Sequence, residues 1–144
     1  MPEPTGTARA KDDLRRRARG LCEYCRTPER FATHLFSTEH VVPVSAGGSP
    51  DDPENLALAC QGCNNHKYTK IRGVDPVTGV PAPLFHPRSQ RWRDHFVWSA
   101  DFTEILGVTP TGRASVATLR LNREGLVNLR RALYREGAHP PHED

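Results

Sequence analysis

Two features of the sequence could do chemistry. One is Glu39-His40, an acid beside an imidazole, followed by a short apolar run, Pro43 and the Gly47-Gly48 pair. The other is a pair of knuckles, Cys22-x-x-Cys25 and Cys60-x-x-Cys63, that bracket it with residues 26–59 between them. Four thiolates from two such turns can close a tetrahedral shell around Zn2+ at about 2.3 Å, and a shell with no open position makes the metal structural. A thiol-redox reading needs only one reactive pair beside a βαβ pattern and leaves the second pair unexplained. Zinc here would tie the turn before one strand to the start of a helix, so its binding would be part of the folding free energy.

The stretch "EHVVPVSAGG…ENLALACQGCNNHK" resembles the HNH endonuclease family, the ββα-metal nucleases, in the subgroup braced by a four-cysteine zinc site. The resemblance covers residues 21–71 and rests on the acid-histidine pair, the Pro and Gly-Gly after it, the "NL" before the second strand and "CNNHK" opening the helix. It implies that Glu39 binds a catalytic divalent cation, Mg2+ or Mn2+, and that His40 is the general base. It further implies that Asn55 pins the loop behind His40, that Asn64 is the second protein ligand, and that cleavage leaves 5′-phosphate and 3′-hydroxyl ends. Two departures stand out: the family more often has Asp where Glu39 stands, and its last position is here Asn rather than His. The residue types suit the chemistry on their own terms. Phosphodiester hydrolysis needs a base for water, a cation for the developing charge and rigid positioning of both. Glu39 and Asn64 offer the hard oxygens that Mg2+ accepts.

Positioning these groups requires particular elements. "FSTEHVV", 36–42, reads as a strand ending at Pro43; "SAGGSPDDPEN", 45–55, as a loop; "LALA", 56–59, as a return strand; and "CNNHKYTKIR", 63–72, as a helix. Neighbours on a regular strand point to opposite faces, so Glu39 and His40 can share a site only if the strand ends or bends there. On the helix, His66 lies about 200° from Asn64 and should face away, whereas Lys67, three residues on, shares its face and could contact a phosphate.

Around this motif, residues 1–21 read as a basic N-terminal helix, centred on 9–19, and 22–72 as the nuclease motif with its knuckles. Residues 73–144 read as a linker, 73–83, followed by a hairpin and helices. "HFVWS" and "TEILGVT" should pair across "ADF"; Thr109 should cap a helix with Pro110 in its first turn. Asn122 could cap another, with Leu126, Leu129 and Leu133 on one face. The fold class expected is α+β: a zinc-braced ββα motif with an N-terminal helix and a C-terminal hairpin and helical extension.

Aromatics are 7% of the 144 residues, thin for a self-sufficient core, so an internal staple would help. No apolar stretch approaches the roughly 20 residues of a membrane span and the polar opening lacks a secretory signal, so a cytoplasmic location is expected. The net charge of +3 is modest, but arginines cluster at 9–19, at 113–135, and at 84–99, where they interleave with aromatics. Such clusters suit DNA phosphates, with an affinity that falls steeply with salt. The rings of 84–99 are expected to pack the extension onto the core, and His86 and His95 to be structural. A single motif would need two visits, or a homodimer, to break both strands. The rival reading is a zinc-knuckle nucleic-acid-binding module without catalysis.

Overall fold

The computed structural model describes residues 6–143; the first five residues of the expected N-terminal segment lie outside them. Helix α1, Gly6–Arg17, leads to the first knuckle. Strands β1, Ser37–His40, and β2, Leu56–Ala59, pair antiparallel with Glu39 opposite Ala57 and His40 opposite Leu56. Helix α2, Gln61–Lys67, follows at once, its first amides capped by the Cys60 sulfur, which accepts from the Cys63 N–H. The helix is shorter than the sequence suggests because Tyr68 adopts a positive φ of 49° and turns the chain away. The order is β1, loop, β2, α2, with α1 packed on β2, giving an α+β fold.

The first knuckle is stitched to the hairpin as well as to the second knuckle. Glu23 holds the centre of β2 from both ends, its backbone N–H donating to the Leu58 carbonyl and its carboxylate accepting from the Leu58 N–H at 2.8 Å. β2 is buried along its whole length, consistent with an apolar run covered on both faces.

The stretch 73–83 is not a linker. Arg72–Val74 (β3) and Pro81–Pro83 (β4) form a hairpin, because Asp75 accepts from the Val77 amide and the Thr78 hydroxyl and so closes the turn that the Gly and Pro content only suggested. A short helix α3, Trp92–His95, precedes the expected hairpin β5, Phe96–Trp98, and β6, Ile105–Gly107. Helix α4, Pro110–Leu119, is capped by Thr109, which accepts from the Gly112 amide. Helix α5, Glu124–Arg135, begins after Arg123, not Asn122. The Asn122 amide instead brackets Ile105, accepting from its N–H and donating to its carbonyl, which fastens β6 to the chain entering α5.

The extension joins the motif through aromatic packing. Phe85, Trp92 and Phe96 are buried, Phe85 meets Tyr24 edge-on, and the Trp92 indole N–H donates to the Tyr24 carbonyl at 3.0 Å. His86 and His95 are engaged locally, with backbone amides and with the Thr109 hydroxyl respectively. Arg113 on α4 holds buried Asp75 with two parallel bonds of 2.8 and 2.9 Å.

The Arg113 guanidinium, aided by the Val77 amide and Thr78 hydroxyl, holds the Asp75 carboxyl well below the ordinary 3.8. A carboxyl that binds protons more weakly folded than unfolded adds stability above its unfolded value, and that stability is lost as pH falls through the folded one. Asp75→Asn should therefore be less stable than wild type in urea at about pH 7, with the gap narrowing towards about pH 2.

Candidate nuclease site and metal centre

The four cysteine sulfurs are buried or nearly so and all lie within 4.8 Å of one another. A tetrahedral zinc-thiolate site requires sulfurs about 3.8 Å apart. Cys25 and Cys60 Sγ are 3.7 Å apart, so the donor set fits. Both pairs meet in one cluster, as a structural metal requires and a dithiol redox pair does not. The surroundings suit thiolates: the Cys25 amide approaches Cys22 Sγ at 3.5 Å, and the Thr27 hydroxyl lies 3.1 Å from Cys25 Sγ.

Arg123, at the entry to α5, adds what the spacing of the cysteines could not reveal. Its guanidinium donates to Cys60 Sγ at 3.6 Å and to Cys63 Sγ at 3.6 and 3.8 Å, and to the Leu119 carbonyl at 2.8 Å. Zinc with four thiolates carries a net charge of about −2, which this cation offsets in part. The approach depends on Gly62: a Cβ there would stand 2.6 to 3.0 Å from the guanidinium.

The second centre is a cleft of about 530 Å³ between the end of β1, the loop after it and α2, lined by Glu39, His40 and Asn64 together with Thr38, Asn65 and Tyr68. The structure thus brings an acid, an imidazole and a helix-borne amide to one concavity. Both residues stand at the end of β1, where the strand gives way to the loop that completes the cleft. The His40 ring is held by Nε2, 3.0 Å from the Pro50 carbonyl. A carbonyl oxygen only accepts, so Nε2 is the donor here, and in the neutral ring that tautomer puts the lone pair on Nδ1. Asn55 fixes the same loop from inside, accepting from the Val42 N–H and donating to the Val42 and Ser49 carbonyls. Gly48 makes room, since a Cβ there would collide with the Val42 carbonyl and crowd the Asn55 amide. His66 does not line the cleft.

Lys67 requires a correction. It is 1% exposed, not presented to a substrate phosphate. Its ammonium sits 2.5 Å from Glu39 Oε1 and donates to the Val41 carbonyl at 2.7 Å. Cys63 offered a signal: a residue that must face the zinc puts the position four residues on against the core as well. Tyr24, inside the first knuckle, was also missed; its buried hydroxyl donates to Glu39 Oε2 at 2.6 Å. Burial pushes the Glu39 carboxyl above its ordinary value, with Lys67 and then Tyr24 pulling the other way. Burial, reinforced by the Glu39 charge, pushes the Tyr24 phenol up strongly. Glu39 Oε1 meets Lys67 by charge, without the angles of a hydrogen bond, so it retains acceptor capacity.

Residues 22–70 match the family model described as HNH endonuclease. That segment, about a third of the chain, contains both knuckles, both hairpin strands and α2. No curated protein and no solved structure matches the chain. The fold, the metal site and the family match together define a module of nuclease or zinc-binding type.

Two outcomes are expected. Arg123→Ala should weaken zinc about ten-fold in competition with a chromogenic chelator, and Gly62→Ala, which displaces the same guanidinium, should move in the same direction. Lys67→Met should lower stability by roughly 3 to 5 kcal/mol in chemical denaturation, because it strands a buried carboxylate.

Proposed function

We propose that the protein is a metal-dependent endonuclease that hydrolyses phosphodiester bonds in DNA. The observation that carries this reading is the shared cleft of Glu39, His40 and Asn64 within a segment that matches the HNH family. His40 takes the proton of the attacking water at Nδ1, with the Pro50 carbonyl fixing the tautomer. Asn55 orders the loop that carries Pro50. Glu39 and Asn64 would hold one divalent cation, Mg2+ or Mn2+, since their carboxylate and amide oxygens suit a hard ion. When bound, the cation supplies positive charge for the phosphorane and the leaving oxygen. Lys67 and Tyr24 act through Glu39, holding its carboxylate in one orientation. The work would be done inside the cell, and double-strand breaks would require two visits or two copies.

The second reading, a zinc-knuckle nucleic-acid-binding module, draws support from the Lys67 ammonium standing against the carboxylate that a cation would use. Plasmid nicking separates the two. The nuclease reading expects nicking with Mg2+ or Mn2+, its abolition by EDTA, and a loss of at least about 100-fold in His40→Ala. Nucleic-acid binding with no cleavage in either metal, or cleavage undiminished in His40→Ala, would overturn it.

A further inference from the structure

We infer that a pocket built by α1, the first knuckle and α3, outside the nuclease cleft, is a docking site for the phosphate backbone of duplex DNA. This rests on the proposed nucleic-acid substrate and adds a surface to it. Two basic segments far apart in the sequence converge there. Arg17 and Arg19 come from the end of α1, Arg26 from the first knuckle, and Arg91 and Arg93 from the start of α3, around a cavity of about 190 Å³. Five arginines thus face two glutamates, Glu23 and Glu143, and the Glu23 carboxylate already has Arg88 against it.

The burial pattern around α3 explains how the arginines come to be presented. Trp92 is buried with its indole N–H on the Tyr24 carbonyl, and Arg26 lies over its ring at 5.2 Å. Arg91 and Arg93, on either side of Trp92, are exposed, and neither guanidinium has an ion-pair or hydrogen-bond partner among the described residues. The C-terminal segment shows what the pocket accepts: Glu143 Oε1 sits 2.8 Å from the Arg26 guanidinium, and the His142 carbonyl accepts from Arg19 at 2.8 Å. Guanidinium forks match phosphate oxygens as they match a carboxylate. The pocket is also continuous with the nuclease segment, since Arg17 donates to the carbonyl of Leu56, the residue paired with His40.

In the cluster richest in arginine by sequence, 113–135, three of the six arginines are committed inside the fold. Arg113 is held by Asp75, Arg123 by the cysteine sulfurs, and Arg130 is buried on the Thr103 and Leu121 carbonyls. Arg131 and Arg135, exposed on α5, therefore make a matched control for charge removal.

The test uses the zinc-loaded full chain carrying His40→Ala, so that the probe survives, and a 5′-fluorescent duplex oligonucleotide read by anisotropy across a salt series. Arg91→Ala/Arg93→Ala should weaken binding about ten-fold at roughly 100 mM salt and reduce the slope of log affinity against log salt by about two, one per phosphate contact. Arg91→Lys/Arg93→Lys should keep the slope, which separates lost charge from lost structure, and Arg131→Ala/Arg135→Ala should change affinity less than about two-fold. Equal losses in the two alanine pairs, or an unchanged slope in the first, would overturn the surface while leaving DNA binding intact. No duplex binding by the His40→Ala parent at any salt would overturn the surface and the nucleic-acid reading together.

Discussion

Four thiolates within 4.8 Å of one another form the constraint on which the rest of this structure depends. Unoccupied by a cation, four buried sulfurs carrying negative charge would repel one another; around Zn2+ they close a loop that begins at the turn after α1 and ends in the first turn of α2. Everything that belongs to the cleft lies inside that loop or within six residues beyond it. The hairpin is only two strands of four residues each, too small to be stable alone, and it gains its support from knuckles fastened at both ends. The thin aromatic content makes sense in that light. Rings are concentrated where the extension meets the first knuckle, and the metal does the work that a larger core would do elsewhere.

The same constraint reaches the chemistry through short links. Tyr24 lies between two zinc-binding cysteines, and its hydroxyl ends on Glu39; Lys67 lies one turn past Cys63, and its ammonium ends on the same carboxylate. Each knuckle thus sends one side chain to the acid at the end of β1. Arg123 sends the opposite message, from the extension back to the sulfurs, so that α4 and α5 are docked on the metal centre by charge as well as by packing. A buried carboxylate flanked by a phenol and an ammonium is costly to assemble, and a partner missing from it would leave a charge stranded. That arrangement gives a fixed orientation to the Glu39 carboxylate, whose side chain has one more bond to rotate than an aspartate would.

What the sequence disclosed and what it hid divide along physical lines. The cysteine spacing and the Pro and Gly punctuation are local signals, and the hairpin β1–β2, the Thr109 cap and the β5–β6 pairing follow from such signals. Side chains that act over long sequence separations gave no such signal. Asp75 is held in its turn by Arg113, 38 positions away, and without that partner in view a glycine- and proline-rich stretch reads as a linker. Asn122 looks like a cap by type, but its amide matches both backbone groups of Ile105 better than it matches a helix end. Lys67 looks like a solvated helix lysine until the buried acid opposite it is known. Arginine counts misled in the same way: half of the 113–135 cluster is committed to internal acceptors, and the other two clusters meet across the first knuckle.

The central claim, that a metal-thiolate clamp holds the hairpin, the cleft and the extension in one arrangement, is tested most directly by near-ultraviolet circular dichroism during zinc removal and return. Trp92 and Trp98 report on the docked extension, and Trp92 touches the backbone of the first knuckle. The account predicts that a strong chelator abolishes the aromatic signal and that one equivalent of Zn2+ per chain restores it. A metal-stripped protein that keeps the full signal and the same denaturation midpoint would contradict it.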